Sequence, residues 1–361
     1  MGSLRVKTDD LVEGTILAKD IPGLANRPIM ASKTIINHDR LEVLKAFLIA
    51  EVSVEKTLIN GLPFVPKEMI EDEEEEKEAD DSHFISAYLR TVQSYKKLFR
   101  NWQAGSSIEV SKVRELIIPL FNKVMQNQSQ LFLLHHYSTK ADYLFHHAIS
   151  VGLISGYLAK NLNYEQGDMF QIVMAGCLVD CGMAKVPPTI LEKKTSLSSE
   201  EFEEVKRHPI YSLQMLQNSP LLKEAVKYAI LQHHERLDGS GYPSGRRGQS
   251  PHAFSRIVAV ADVYHAMTSE RNYRIKQSPF KVMEMILQDD FGKFDISAVK
   301  TLLSGITNFS IGSKVKLSNG YTAEIIFIES NGPTRPMVKL LDTGEIIHLG
   351  KNREIFIEEA L

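Results

Sequence analysis

Apolar positions recur along this chain at two periods, and the changes of period divide it. Between Asp39 and Leu48 the residues Leu41, Leu44 and Leu48 fall three or four apart and predict a short helix, whereas Val52 and Val54 alternate with polar neighbours as a strand does. Val12-Glu13-Gly14-Thr15-Ile16-Leu17-Ala18 predicts a further strand at a glycine turn. Together these describe a small α/β module over residues 1–64. Ile85, Tyr88, Val92, Tyr95, Phe99 and Trp102 then form a seam at heptad spacing, which either packs onto the next domain or pairs with a second copy as a homodimer. Beyond Gly105 helical spacing continues, as in Val113, Leu116, Ile117, Leu120, Phe121 and Val124, to about Gly305. Inside this block Ser198 and Glu201 have the spacing of a capping box and mark a helix start. After Phe309 the period drops to two, at Val315, Leu317, Tyr321, Ala323, Ile325 and Phe327, around the hairpin signal Asn319-Gly320. Asp342-Thr343-Gly344 and a last strand near Ile355 and Ile357 complete a small antiparallel β module over 309–361. The expected fold class is therefore mainly α: an all-helical domain over 105–308, set between a small α/β N-terminal module and a small β C-terminal module, with 65–104 as acidic linker and amphipathic helix.

The length of 361 residues allows two or three domains, and a net charge of −3 excludes bulk attraction to nucleic acid. No apolar run approaches the roughly 18 residues that a membrane span needs, and the start lacks a signal-peptide core, so a cytoplasmic protein without membrane contact is expected. Ten acidic residues face one lysine, Lys77, between Glu68 and Asp81, a solvated linker by composition. Cys177 and Cys181 lie four apart on one predicted helix, too few ligands for zinc, and are expected to be reduced thiols.

The chemistry concentrates in His233-His234-Glu235-Arg236-Leu237-Asp238-Gly239-Ser240-Gly241-Tyr242-Pro243. Two adjacent imidazoles end a helical pattern that begins near Leu222. A turn sequence that no helix interior tolerates follows them. At a frayed helix end both rings can turn toward one metal, and neutral imidazole is the commonest transition-metal ligand.

This string resembles the HD-GYP signature, HHExxDGxGYP, at every defined position. HD-GYP domains are helical, metal-dependent phosphodiesterases whose usual substrate in bacteria is cyclic di-GMP. The resemblance extends to other segments. His147, in Phe145-His146-His147-Ala148, falls at the first ligand position, with His146 pointing elsewhere toward the surface. Some relatives carry a glutamate four residues earlier and bind a third metal; here that place holds Tyr143, which implies two metals. The HD pair reads Val179-Asp180, so the histidine is lost, and Met183 stands where HDxGK has lysine. His208, in Lys206-Arg207-His208-Pro209, and Asp262, in Val260-Ala261-Asp262-Val263, take the remaining ligand positions. Arg271-Asn272-Tyr273-Arg274 is similar to the RxYR segment whose Arg271 and Arg274 would hold substrate phosphate.

The resemblance thus implies metal ligation by His147, Asp180, His208, His233, His234 and Asp262. One ion would use Asp180, His208, His233 and His234, and the other His147, Asp180 and Asp262, with Asp180 bridging. Iron or manganese is expected, with zinc as an alternative. Gly241 and Tyr242 would contact substrate, Asp180 and Tyr242 would act in catalysis, and Glu235 and Asp238 would brace the loop. Cyclic di-GMP is the implied ligand and a diguanylate cyclase (GGDEF) protein a candidate partner. Loss of the HD histidine and lysine keeps a second reading open, a cyclic di-GMP receptor or protein-interaction module without turnover. His265, where the family usually has a second aspartate, lies three residues after Asp262 on one helix face. It either supplies the missing imidazole, orients a ligand from behind, or does neither.

Overall fold

The computed structural model describes residues 3–22, 28–66, 81–193, 195–245, 250–270, 276–288, 292–329 and 332–361. Arg271, Arg274 and the acidic stretch through Asp80 lie outside the described residues. The chain divides into two compact units, Met1–Lys96 and Lys97–Leu361.

In the first unit β1 (Leu4–Lys7) pairs antiparallel with β2 (Glu51–Val54), and Leu4 stands opposite Val54. Helix α1 (His38–Ala46) starts where the Asn37 side chain accepts a hydrogen bond from the Arg40 N–H at 2.9 Å, which satisfies one orphan donor of its first turn. Val6, Leu17, Ile36, Leu44, Val52 and Val54 form the core. The strand expected over Val12–Ala18 is reduced to isolated bridges at Ile16 and Leu17, and the paired N-terminal strand is β1 instead. A four-residue run, Leu-Arg-Val-Lys, is too short to announce itself by alternation.

Helix α2 (Asp81–Gln103) carries the aromatic seam. Tyr88, Val92, Tyr95, Phe99 and Trp102 are all buried within the single chain, along with Phe84 and Leu89, while Ile85 is half-buried.

The second unit contains helices α3 (Val110–Val124), α4 (Tyr143–Asn161), α5 (Gln166–Leu178), α6 (Pro188–Leu191), α7 (Ser199–Val205), α8 (His208–Leu216), α9 (Glu224–Gln232), α10 (Ala253–Thr268), α11 (Pro279–Gln288) and α12 (Ile296–Ile306). Helix α4 is its axis: every residue from His146 to Ala159 is buried, with α5 and α10 its main neighbours. A helix apolar all round is a core helix. The α4–α5 contact is close because glycines face it. A methyl group on Gly176 would lie 2.8 Å from the Val151 carbonyl oxygen and 2.9 Å from Gly152 Cα. The stretch Gln166–Lys185 has the length and apolarity of a membrane span, unlike the expectation above, but 61% of it is buried inside this unit, as a core helix is. The Ser198 capping box is present in both its hydrogen bonds at the start of α7.

Five antiparallel strands follow: β3 (Lys314–Leu317), β4 (Thr322–Phe327), β5 (Met337–Leu340), β6 (Ile346–His348) and β7 (Ile357–Ala360), in sheet order β6-β5-β4-β3-β7. The Asn319-Gly320 turn joins β3 to β4. Arg335 ties the sheet to α11: its Nε and Nη2 donate to the two carboxylate oxygens of buried Glu284, each at 2.6 Å, and Nη1 donates to the Ile355 carbonyl at 2.7 Å. Bidentate pairing of this kind fixes orientation as well as distance.

Candidate metal centre

Helix ends bring the predicted ligands together. His147 lies in the second turn of α4, Asp180 just past the end of α5, His208 at the first residue of α8, His233 at the C-cap of α9 with His234 after it, and Asp262 in the middle of α10. Two backbone approaches without room for a side chain hold these ends in place. After Asp180 the chain makes a 3-10 turn, Cys181–Lys185, against the start of α8, and a methyl group on Gly182 would lie 2.3 Å from the His208 carbonyl oxygen. Ser212 locks the same joint: its Oγ accepts from the Gly182 N–H at 2.8 Å and donates to the Val179 carbonyl at 2.6 Å. Ser212 carries no sequence signal of its own and becomes visible only through these contacts.

The second approach folds the GYP loop onto the histidines. Tyr242 N–H donates to the His234 carbonyl at 3.2 Å, and a methyl group on Gly241 would sit 2.3 Å from that same oxygen. Glu235, buried, accepts from the N–H of Ser244 at 2.6 Å and of Gly245 at 3.1 Å. Asp238 accepts from the Ser240 N–H at 2.9 Å and hydroxyl at 2.7 Å. Both carboxylates therefore brace the loop. The Tyr242 ring lies over that of His234 with centroids 4.6 Å apart, and the Lys206 ammonium stands 5.9 Å from the Tyr242 centroid.

Asp180, His208, His233 and His234 each offer a ligand atom, and all four atoms lie within 4.8 Å of one another. His208 Nδ1 is 2.7 Å from the Val205 carbonyl and His233 Nδ1 is 2.7 Å from the Ile230 carbonyl. A carbonyl only accepts, so both Nδ1 atoms carry protons, and in the neutral rings both Nε2 atoms hold lone pairs. These two nitrogens nonetheless face each other at 3.1 Å, with Asp180 Oδ1 at 3.1 Å from His208 Nε2 and 3.7 Å from His233 Nε2. Converging lone pairs and a carboxylate need a cation or a proton between them. Ligands about 2.0–2.1 Å from a tetrahedral ion stand roughly 3.3 Å apart, so the donor set fits a metal.

The other side of Asp180 meets a second group. His147 Nε2 lies 3.5 Å from Asp180 Oδ2 and 2.9 Å from Asp262 Oδ1, and His234 Nδ1 lies 3.5 Å from Asp262 Oδ2. Asp180 thus presents one oxygen to His208 and His233 and the other to His147, the division that a bridging carboxylate requires. His234 touches both groups rather than the first alone.

The electrostatics suit cation binding. Burial raises the Asp180 carboxyl, but hydrogen bonds from His208 and His233 outweigh it and hold the group well below the usual carboxylate range. Asp262 is likewise raised by burial and pulled below its ordinary value chiefly by the His147 hydrogen bond. Burial and then His233 push His234 well down, which keeps it neutral. His208 is pushed down by burial and raised, on balance, by Asp180.

Two expectations need correction. His146 is buried, at 1% exposure, because α4 is enclosed on all sides. Cys181 is not on the helix of Cys177 but in the 3-10 turn beyond its end; both thiols are buried and neither is in a disulfide, and burial with the neighbouring Asp180 pushes Cys181 up to about 12. For His265, whose role the sequence leaves open among three, the structure places Nδ1 3.0 Å from His147 Nδ1. Val179 is fully buried beside Asp180, Met183 is half-buried, and Tyr143 stacks on His147 with centroids 5.2 Å apart.

Comparison with known proteins places this arrangement. Residues 124–297 match the family model described as HD domain. The chain is 28% identical over 263 residues to a cyclic di-GMP phosphodiesterase, PA4108, of Pseudomonas aeruginosa, which covers 73% of this chain and 63% of that one. It is 35% identical over 150 residues to 3′3′-cGAMP-specific phosphodiesterase 1 of Vibrio cholerae, covering 41% of this chain and 34% of that one. The chain spans less than two thirds of the length of either relative. Among solved structures, Bd1817, described as an HDG"Y"P protein from Bdellovibrio bacteriovorus, superposes with a TM-score of 0.52 over 83% of this chain and 98% of that one at 15% identity, a likeness of fold.

Proposed function

We propose that the chain, whose residues 124–297 match the HD domain family, is a metal-dependent phosphodiesterase of HD-GYP type that hydrolyses cyclic di-GMP. The observation that carries the proposal is the Asp180 carboxylate, divided between His208 and His233 on one side and His147 on the other. The residues assigned to two divalent ions, iron or manganese before zinc, are His147, Asp180 and Asp262 for one and Asp180, His208, His233 and His234 for the other. Bound there, such ions would activate water and neutralise charge developing on the phosphate.

The chain's own groups bind and orient. The Tyr242 ring, on the face of His234, offers a surface for a guanine to stack on, and its hydroxyl can donate to a phosphate oxygen. Gly241 leaves room for that loop to lie against the histidines, and Glu235 fixes it. Lys206, beside Tyr242, adds positive charge near the expected phosphate position. Arg271 and Arg274 are assigned to phosphate as well, on the resemblance of their segment. A cytoplasmic location and a diguanylate cyclase partner belong to the same reading. The second reading, a receptor without turnover, is favoured by one observation: the side chain next to Asp180 is a fully buried valine, which ligates nothing.

The test is incubation of the full chain, loaded anaerobically with Fe(II) or Mn(II), with cyclic di-GMP and in parallel with 3′3′-cGAMP. Chromatography should show linear dinucleotide or mononucleotide from cyclic di-GMP, dependent on metal. Tight nucleotide binding with no product under either metal would establish the receptor reading instead.

A further inference from the structure

We propose that His265 is a positioning residue for His147: it takes the proton of His147 Nδ1 in a hydrogen bond and so leaves the His147 Nε2 lone pair turned toward Asp262 and Asp180. The proposal rests on the metal-centre reading above, not on turnover.

Both rings are buried, His147 at 2% and His265 at 1% exposure, so solvent does not satisfy their nitrogens. Their Nδ1 atoms stand 3.0 Å apart, although 118 residues separate them in the chain. A hydrogen bond between two imidazole nitrogens holds one proton, so one ring donates and the other accepts. His147 Nε2 lies among carboxylate oxygens, 2.9 Å from Asp262 and 3.5 Å from Asp180. For that nitrogen to ligate a cation it must be unprotonated, which puts the proton on Nδ1 and makes His265 Nδ1 the acceptor. His265 then carries its own proton on Nε2; the buried Ser269 Oγ lies beside the ring, 3.3 Å from Nε2 and 3.4 Å from Nδ1. Tyr143, stacked on His147 with an interplanar angle of 24°, restrains the ring from turning out of this line.

The choice of imidazole has a chemical consequence. Without a cation, His147 Nε2–H donates to Asp262 and His147 Nδ1 becomes an acceptor, for which His265 must donate. With a cation the roles reverse. A neutral imidazole serves both states by exchanging tautomers, with no change of charge and no buried group left unpaired. A carboxylate could only accept, and an ammonium could only donate. The same geometry argues against Nδ1 of His265 as the substitute for the lost HD histidine, since that nitrogen is engaged by His147.

The experiment uses the full chain with zinc as a diamagnetic probe. Long-range proton–nitrogen NMR correlations on histidine-labelled protein should show His147 protonated at Nδ1 and metal-bound at Nε2, and His265 with no metal-bound nitrogen. His265→Phe, which keeps ring bulk but cannot accept, should weaken the binding of one zinc by roughly 10–100-fold and leave the other unchanged. His265→Asp, an acceptor, should recover that affinity. A metal-bound nitrogen on His265, or an Nε2 proton on His147 in the zinc-loaded protein, would overturn the proposal, and the wild-type spectrum alone decides this even where a variant fails to fold. Wild-type affinity for both ions in a folded His265→Phe protein would overturn it too. Failure of cyclic di-GMP turnover would leave all of these readouts in place.

Discussion

Replacing Gly182 by alanine perturbs the joint on which Asp180 depends. The new methyl group would lie 2.3 Å from the His208 carbonyl oxygen, 2.4 Å from Ser212 N and 2.7 Å from Ser212 Oγ, where ordinary contact begins near 3.4 Å. Two of the three atoms are backbone, so no flexible side chain can swing away. The turn and the start of α8 must separate by about 1 Å. Overpacking of this kind costs about 1–3 kcal/mol. The Ser212 hydrogen bonds to Gly182 and Val179 are strained or lost with it, at roughly 0.5–1.5 kcal/mol each. A total of about 3 kcal/mol corresponds to a fall in melting temperature of roughly 6–12 °C for a domain of this size. Because Asp180 precedes the turn and His208 opens α8, their 3.1 Å pair should open as well, and metal affinity should fall more than tenfold. Thermal melts of the metal-free protein and manganese titration of the folded one measure the two effects separately. Ser212→Ala is the control: it removes the hydrogen bonds without the clash and should lose stability with a smaller loss of affinity. A Gly182→Ala protein that melts within 1–2 °C of wild type and binds metal normally would refute the reasoning.

Metal analysis of the wild type should find two ions, one tighter than the other, and His234→Ala should lose metal and turnover together by at least roughly 10–100-fold; unchanged metal content would remove His234 from the ligand set. Metal uptake should release protons and weaken as pH falls, because His208, raised above the ordinary histidine value of 6.5 by Asp180, holds a proton that the ion must displace. The affinity is present above the His208 pKa and lost as pH falls through it, and a titration showing no weakening from pH 8 to pH 6 would contradict the assignment.

Helical block, β module and loop string were legible because each is written locally. Ser198 and Glu201 state a helix start by spacing, Asn319-Gly320 states a turn, and the residues from His233 to Pro243 state a helix end and two candidate ligands. The α4 and α5 faces were less so, because a helix buried on all sides has no periodicity to show which residues point where; that is why His146 reads as surface and is buried. Contacts between distant segments could not be read at all. Nothing near Ser212 announces that it bridges Val179 and Gly182, and the spacing of His265 from Asp262 says that the two share a helix face without saying that His265 turns to His147 instead.

The lost HD histidine bears differently on the two proposed ion positions. Asp180 Oδ1, His208, His233 and His234 can close a four-coordinate set, the character of a structural site. His147, Asp180 Oδ2 and Asp262 supply three groups, the number typical of a site that keeps a position open for water or substrate. Valine at position 179, fully buried, supplies no donor and adds no charge. His234, with Nδ1 at 3.5 Å from Asp262 and its ring beside those of His208 and His233, is placed to lean toward either group. On the proposed assignment, valine at 179 is expected to weaken ion binding on the His147 side more than it disables the arrangement, leaving that side to His147 and to whatever fixes its ring. On this argument Val179→His should raise affinity for the weaker ion while leaving the tighter one unchanged, measured by competitive metal titration. Equal affinities for both ions in the wild type would show that the side without its histidine was never the weaker one.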